Sequence, residues 1–533
     1  MGKGDKKPLK KETSKKDASK KDNAKKVDAE KKNRALEENL KTVKKTLEKV
    51  NRYYHASRIV GFDQQTLCPG ASMEAQGEVG AFLQNEAFTL VKDKKFIKAG
   101  EALYKKRDEL DKLDAVLAKA LHREYLQTKN VTPKQQKEFS LTYNKAFVDW
   151  IEAKNKSDFS LFKGSLSAVR TAELKKISLM EEARPEAYDN LLNIYERGID
   201  AKALDEIFGQ CKERLIPFLQ KIVNSKKKIR TDFMSRPAAE EAQKKLSYYL
   251  LGILHYDLNR GALAVSEHPF TDELDINDVR ITTHYYPDNF ASSMYSVIHE
   301  TGHALFGQNI PAAHYKHFIQ NEKTLGMHES VSRFYENRIA RSRSFVKLIF
   351  NKLKELLPNV LEDVTEEELY EALNTVTPST IRIEADEFTY TFHIIIRYEI
   401  EKELINNGVK IEDLPKLWSD KYEEYLGVRP SSDKEGVLQD VHWTSGFGYF
   451  PTYAIGNMYN AMYYNKMSKK HDVNKLIEEN RIDVINEWMT KHVFKKADRL
   501  DPADWIRDIT GKELTPVPFL NYLEEKFGAI YGL

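Results

Sequence analysis

The segment Ser296–Phe306, SVIHETGHALF, carries two histidines four residues apart, with a glutamate directly after the first. Residues i and i+4 of an α-helix lie one turn apart on the same face, so His299 and His303 can aim both imidazoles at a single ion. Glu300 is turned by about 100° from His299. It flanks such an ion rather than binding it, and that is the place of a general base acting on an activated water. Two histidines on a solvent-facing helix would show the same spacing, so the pair needs company. A hydrolytic zinc takes three protein ligands and keeps one position open. Downstream, GMHESVSRFYENRIARSRSF offers Glu329 and, beside it, His328 as third donor. A carboxylate next to the apolar face of Phe334, Ile339 and Phe345 is costly without a partner; an ion is one candidate partner, a surface salt bridge another.

These residues need a helix to present them. Asp288, after Pro287, can cap its start; Met294, Val297, Ile298 and Leu305 supply apolar contacts, and Gly307 and Pro311 supply stop signals. Just before it, 264–287 is the one convincing non-helical region, with strand propensity over Arg280–Tyr285. Elsewhere the apolar residues recur at helical spacing, as in Leu36, Leu40, Val43, Leu47, Val50 and Tyr54, or Leu103, Leu110, Leu113, Val116, Leu117 and Leu121. The start of PTYAIGNMYNAMYY, from Pro451, suits another helix. The expected fold is mainly α, with a small antiparallel sheet beside the site.

The ordered motifs HPF (268–270), DVRIT (278–282), HETGH (299–303), HES (328–330), IRIEAD (381–386) and GVLQDVHW (436–443), followed by FGYFPTYAIGN (447–457), resemble those of the M32 carboxypeptidases, the carboxypeptidase Taq family. GFDQQTLCPGASMEAQ (61–76) is similar to that family's N-terminal signature. The resemblance runs from about residue 34 to the C-terminus. It implies a large helical metallopeptidase domain with a deep active-site groove, a homodimer, and metal-dependent release of C-terminal amino acids with broad specificity, poor with proline. His299, His303 and Glu329 carry over as ligands of one Zn2+ per chain, with Co2+ as a substitute, and Glu300 as general base. One departure is Val331, where the family commonly has glutamine; it removes a hydrogen-bonding group next to a ligand.

A carboxypeptidase needs a cation for the substrate's terminal carboxylate, and arginine's planar fork suits it. Arg382 is the first candidate and Arg280 the second. Each also has a local carboxylate it can pair with, Asp386 and Asp278 respectively. By analogy with zinc peptidases that use a glutamate as third ligand, His442 and Tyr453 are candidate catalytic groups, Tyr453 as oxyanion donor, and Tyr449 a substrate contact. Ordinary aromatic packing accounts for the same residues. His268, ahead of the strand nearest the site, is a substrate-side candidate or a core histidine.

The chain has 533 residues and a formal net charge of +3. Residues 1–33 are mostly Lys, Asp, Ser and Ala and hold almost nothing to bury, so a disordered basic tail is expected there, with the catalytic domain over 34–533. Its lysines can neutralise phosphates, but it lacks aromatics for base stacking, and no specific nucleic acid is expected. Two cysteines make no disulfide framework. No apolar run reaches the length of a membrane span, and a secretory h-region is absent, which points to the cytoplasm. Peptides with a free C-terminus are the expected partners. A metal-dependent oligo-endopeptidase is the nearest alternative. A tail-mediated RNA or acidic-surface binding protein with an inactive peptidase domain is the alternative from another class.

Overall fold

The computed structural model describes residues 1–2 and 12–533, and the side chains of 1–2 and 31–533. Of the tail expected to be disordered over 1–33, residues 3–11 lie outside the described backbone, whereas residues 12–33 form the first turns of a helix. The chain divides into two compact units, 1–60 with 74–125 and 61–73 with 126–533. Helix α1, Glu12–Thr66, opens the first. Its stripe turns inward through Val43 and Val50, whereas Tyr54, counted in that stripe from its spacing, is 41% exposed. The expected run from Leu103 to Leu121 is broken into helices Lys94–Lys105 and Lys112–Thr128.

The second unit holds the chemistry. Helix α2, Glu240–Leu254, leads into strands β1 (Leu263–Val265), β2 (Thr271–Asp275) and β3 (Asp278–Thr283). The strand order is β1-β3-β2. β3 pairs antiparallel with β2 and parallel with β1. The sheet is therefore mixed, not antiparallel as strand propensity suggested. Residues 266–270 carry the chain from β1 to β2, which run in opposite directions, and β3 inserts between them. A strand placed between two antiparallel neighbours must run parallel to one of them.

Helix α3, Phe290–Asn309, packs on β3 and α2 and is buried on nearly every side, with Phe290, Met294, Val297, Ile298, Ala304, Leu305 and Phe306 all in the core. Such a helix is a core helix, so any charged group on it must find partners inside the protein. Its cap is Asn289, whose side chain accepts from Ser292 N at 3.2 Å, one residue later than the Asp288 expected from sequence. Gly307 lies inside the helix instead of ending it: a Cβ there would stand 3.0 Å from the Glu273 side chain. Helix α4, Leu325–Arg333, continues as a π-helical segment, Phe334–Ala340. Helices α5, Tyr390–Lys402, and α6, Pro451–Ser468, complete the frame; Pro451 occupies the first turn of α6, where its missing N–H costs nothing. No described helix is long and apolar enough to cross a membrane.

Candidate active site

Two glycines set the position of α4. A Cβ on Gly302 of α3 would lie 2.7 Å from Ser332 Cα and 3.1 Å from the Val331 carbonyl oxygen. On the opposite side, a Cβ on Gly456 of α6 would lie 3.1 Å from Ser330 N and 3.2 Å from Glu329 Cβ. Helix α4 is thus gripped between two close backbone approaches, and Glu329 is delivered to the face of α3 that carries the histidines. Glu329 Oε2 lies 3.7 Å from His299 Nε2 and 3.5 Å from His303 Nε2. The three donor atoms all fall within 4.8 Å of one another.

That spacing is the test of whether an ion fits. Bonds of about 2.0–2.1 Å in tetrahedral geometry put ligand atoms roughly 3.4 Å apart, close to the 3.5 and 3.7 Å that separate Glu329 from the two imidazoles. His299 Nδ1 meets Glu336 Oε2 at 2.9 Å, which leaves its Nε2 lone pair for the ion. Glu329's other oxygen accepts from Arg333 Nε at 2.8 Å, and its Oε2 accepts from the Ser332 hydroxyl at 3.1 Å. Burial pushes the Glu329 carboxyl up, but His299 and Arg333 outweigh it and hold the group well below the ordinary carboxylate range, ready to ligate. For Glu336, Arg333 and His299 likewise overcome burial and bring the carboxyl down to about 2. Among the described residues His303 Nδ1 has no hydrogen-bond partner, and the ring is oriented by packing, stacked on His328 at 4.3 Å.

His328, the competing third donor, is occupied elsewhere: its Nε2 meets Glu273 Oε1 at 2.6 Å. Glu300 is buried, with Oε2 accepting from the Thr271 hydroxyl at 2.6 Å. His299, Glu300 and Glu329 line one cavity of about 500 Å3 together with Tyr453, Arg333, Glu336 and Arg382.

Arg382 pairs not with Asp386 but with Asp440, through Nε at 3.0 Å and Nη2 at 2.9 Å. Asp386 instead caps the turn at Phe388 and Thr389. Asp440 also accepts from Arg397 Nε at 2.6 Å. Burial works against its charge, yet Arg397 and Arg382 keep its carboxyl far below the usual range. Arg280 is not brought to the cavity; Asp278 binds it in two contacts of 2.8 and 2.7 Å, and it stacks over Phe62. Tyr449 and His442 form an aromatic group behind Tyr453, with ring centroids 5.4 Å (Tyr449–Tyr453) and 5.2 Å (His442–Tyr449) apart. Burial lowers the His442 pKa to about 4, so its ring is neutral at neutral pH. His268 is exposed, while its neighbour Pro269 reaches the cavity.

A family model described as Carboxypeptidase Taq (M32) metallopeptidase matches residues 42–527. The chain belongs to the M32 family. It is 37% identical over 489 residues to Carboxypeptidase 1 of Bacillus subtilis, covering 91% of this chain and 97% of that one. The solved M32 carboxypeptidase of Deinococcus radiodurans R1 superposes with a TM-score of 0.89 at 30% identity, over 93% of this chain and 100% of that chain. A structure of Pyrococcus furiosus carboxypeptidase, in an Apo-Mg form, gives 0.87 at 30% identity, over 92% and 99%. As an M32 member the protein is a peptide hydrolase of the metallocarboxypeptidase type, and its ion is divalent.

Several residues of this M32 site escape sequence reasoning. Glu336 follows Glu329 by seven residues, two helical turns, but nothing local shows that its partner is His299, 37 residues earlier in the chain. Thr271 and Asp440 act on residues far away in the chain. Glu401 is a third case: it accepts from Trp443 Nε1 and Gly448 N at 2.8 Å each and from the Tyr188 hydroxyl at 2.7 Å, and so anchors the loop between His442 and Tyr449. Val331 is fully buried, and Glu329 draws its hydrogen bonds from Ser332 and Arg333 instead of from residue 331.

Proposed function

We propose that the protein is a zinc-dependent carboxypeptidase that removes single C-terminal residues from peptides with broad preference, with Co2+ able to substitute. The observation that carries this reading is the convergence of two imidazole nitrogens and one carboxylate oxygen within 4.8 Å, in the same cavity as a second, non-ligating carboxylate. When bound, the ion supplies Lewis acidity, lowering the pKa of a water and polarising the scissile carbonyl. Glu300 is the base: with Oε2 held by Thr271 at 2.6 Å, its other oxygen is left to take the water's proton and pass it to the leaving amine. Tyr453 borders the same space, and burial holds its hydroxyl proton far above neutral pH, so it acts as a hydrogen-bond donor to the developing oxyanion. The neutral His442 and Tyr449 pack behind it and set its orientation. Arg382, fixed by Asp440, faces the cavity as the cation for the terminal carboxylate. His268 at the rim has a substrate-side role at most. Arg280, already paired, is left with a structural one.

On this reading the protein is a cytoplasmic homodimer, and residues 1–33 are an appendage that can be deleted without loss of activity. The test uses a free-acid peptide, its C-amidated twin and a chelator control, followed by mass spectrometry. Stepwise loss of single residues from the free acid alone, stopped by chelation, is expected. Internal cleavage of the amidated peptide would favour an endopeptidase and refute the proposal.

A further inference from the structure

Two of the three metal donors are tied to each other by a chain of three hydrogen bonds that runs through Glu336 and Arg333. Starting from His299, Nδ1 meets Glu336 Oε2 at 2.9 Å. The same oxygen accepts from Arg333 Nη1 at 3.0 Å. Arg333 Nε donates to Glu329 Oε1 at 2.8 Å, and Glu329 Oε2 faces His299 Nε2 at 3.7 Å across the ion position. Glu329, Arg333 and Glu336 all line the same cavity wall. They do so because Glu329, Arg333 and Glu336 stand four and three residues apart on one continuous helical run, so they share a face and a residue seven positions after the ligand reaches the histidine on α3. The third donor, His303, has no such bracing among the described residues, where its Nδ1 finds no hydrogen-bond partner.

We infer that Arg333 and Glu336 are positioning residues that work as one unit: together they fix the angle between the His299 imidazole and the Glu329 carboxylate before the ion arrives. Preorganisation of this kind raises affinity because neither donor has to be ordered on binding. The inference rests on the metal reading above, and it makes a prediction that charge alone does not. Glu336→Gln removes an anion near the ion and should weaken binding on either account. Arg333→Met removes a cation beside the ion, which by Coulomb's law alone would tighten binding; if Arg333 positions Glu329, it weakens binding instead.

The experiment is chelator-competition titration of Zn2+ and Co2+ on wild type, Glu336→Gln, Arg333→Met and the double variant, with the melting temperature of each metal-free protein recorded alongside. Each single change is expected to lower affinity by about 10–100-fold. The double is expected to bind within a few-fold of the weaker single, because breaking that chain of bonds at either point releases both ligands. Arg333→Lys, which keeps the charge but loses the planar fork, should fall with Arg333→Met. If a methionine or glutamine variant does not fold, Arg333→Lys and Glu336→Asp carry the same comparison. Tighter or unchanged binding by Arg333→Met, or a double loss equal to the product of the single losses, overturns the inference. Failure of the wild type itself to bind either ion would overturn the metal reading beneath it.

Discussion

Gly302→Ala adds one carbon to the helix that holds both histidines, and the structure gives its consequence a size. The new Cβ would sit 2.7 Å from Ser332 Cα and 3.2 Å from Ser332 N, both backbone atoms of α4 with no flexible side-chain end to yield. Ordinary van der Waals contact begins at 3.4 Å, so the helices must part by about 0.7 Å. Retreat towards α6 is opposed as well, because Gly456 brings that backbone so close that a Cβ there would stand 3.1–3.2 Å from Ser330 N and Glu329 Cβ. Carried to the site, the displacement widens the 3.5 and 3.7 Å donor separations to about 4.2–4.4 Å, beyond the roughly 3.4 Å an ion with bonds of about 2.1 Å requires. Overpacking of this kind costs about 1–3 kcal/mol, and about 1.4 kcal/mol is tenfold in a binding constant, so metal affinity should drop by about 10–100-fold. Chelator competition reads the affinity directly, and thermal melting with and without metal reads the coupled stability. Gly252→Ala, on α2 with nothing within 4 Å of its Cβ, is the control and should bind metal as wild type does. Wild-type affinity in Gly302→Ala would refute the claim that this glycine sets the distance between α3 and α4.

Three further outcomes follow from the same geometry. Glu300→Gln keeps the Thr271 contact and all three ligands, so the ion should stay bound while kcat falls by about 10²–10⁴; retained turnover at full metal occupancy would remove Glu300 from the role of base. Arg382→Ala should lower kcat/KM for free-acid peptides by 10-fold or more, roughly the worth of a charge-assisted contact, while binding of the amidated twins as competitive inhibitors hardly changes; an equal effect on both would assign Arg382 to bracing Asp440. The Glu196 carboxyl is pushed up to about 7 by burial, against the donors Tyr459 and Gly326 N. Its folded pKa lies above its unfolded one, so its contribution is fully present below the ordinary carboxylate pKa of about 4.5 and is lost as pH rises through about 7. Glu196→Gln, scanned by calorimetry from pH 5 to 9, should therefore lose less stability across that range than wild type does, and parallel curves would contradict the assignment.

The core of the site was legible because its spacing is local. HETGH places two donors and a base within five residues, and the ordered motifs around it lead to Glu329 by resemblance. What could not be read was whatever depends on contacts between distant segments. Arg382 was matched with its neighbour Asp386, but the chain brings Asp440 to it across 58 residues. Glu336 escapes for the same reason: its partner His299 lies 37 residues away, on a helix whose packing against α4 no local pattern reports. The mixed sheet followed from the same limit: alternation reports that a segment is a strand, not which way its neighbour runs. Gly302 and Gly456 stood in quoted motifs, yet their purpose became clear only when the backbone atoms opposite them were known.

Metal content set against activity tests the central claim most directly. Purified protein stripped with a chelator and reloaded with Zn2+ should bind one ion per chain by elemental mass spectrometry, and release of the C-terminal residue should return in proportion to occupancy. A chain that takes up no divalent ion, or that hydrolyses the free-acid peptide equally well when stripped, would contradict the account.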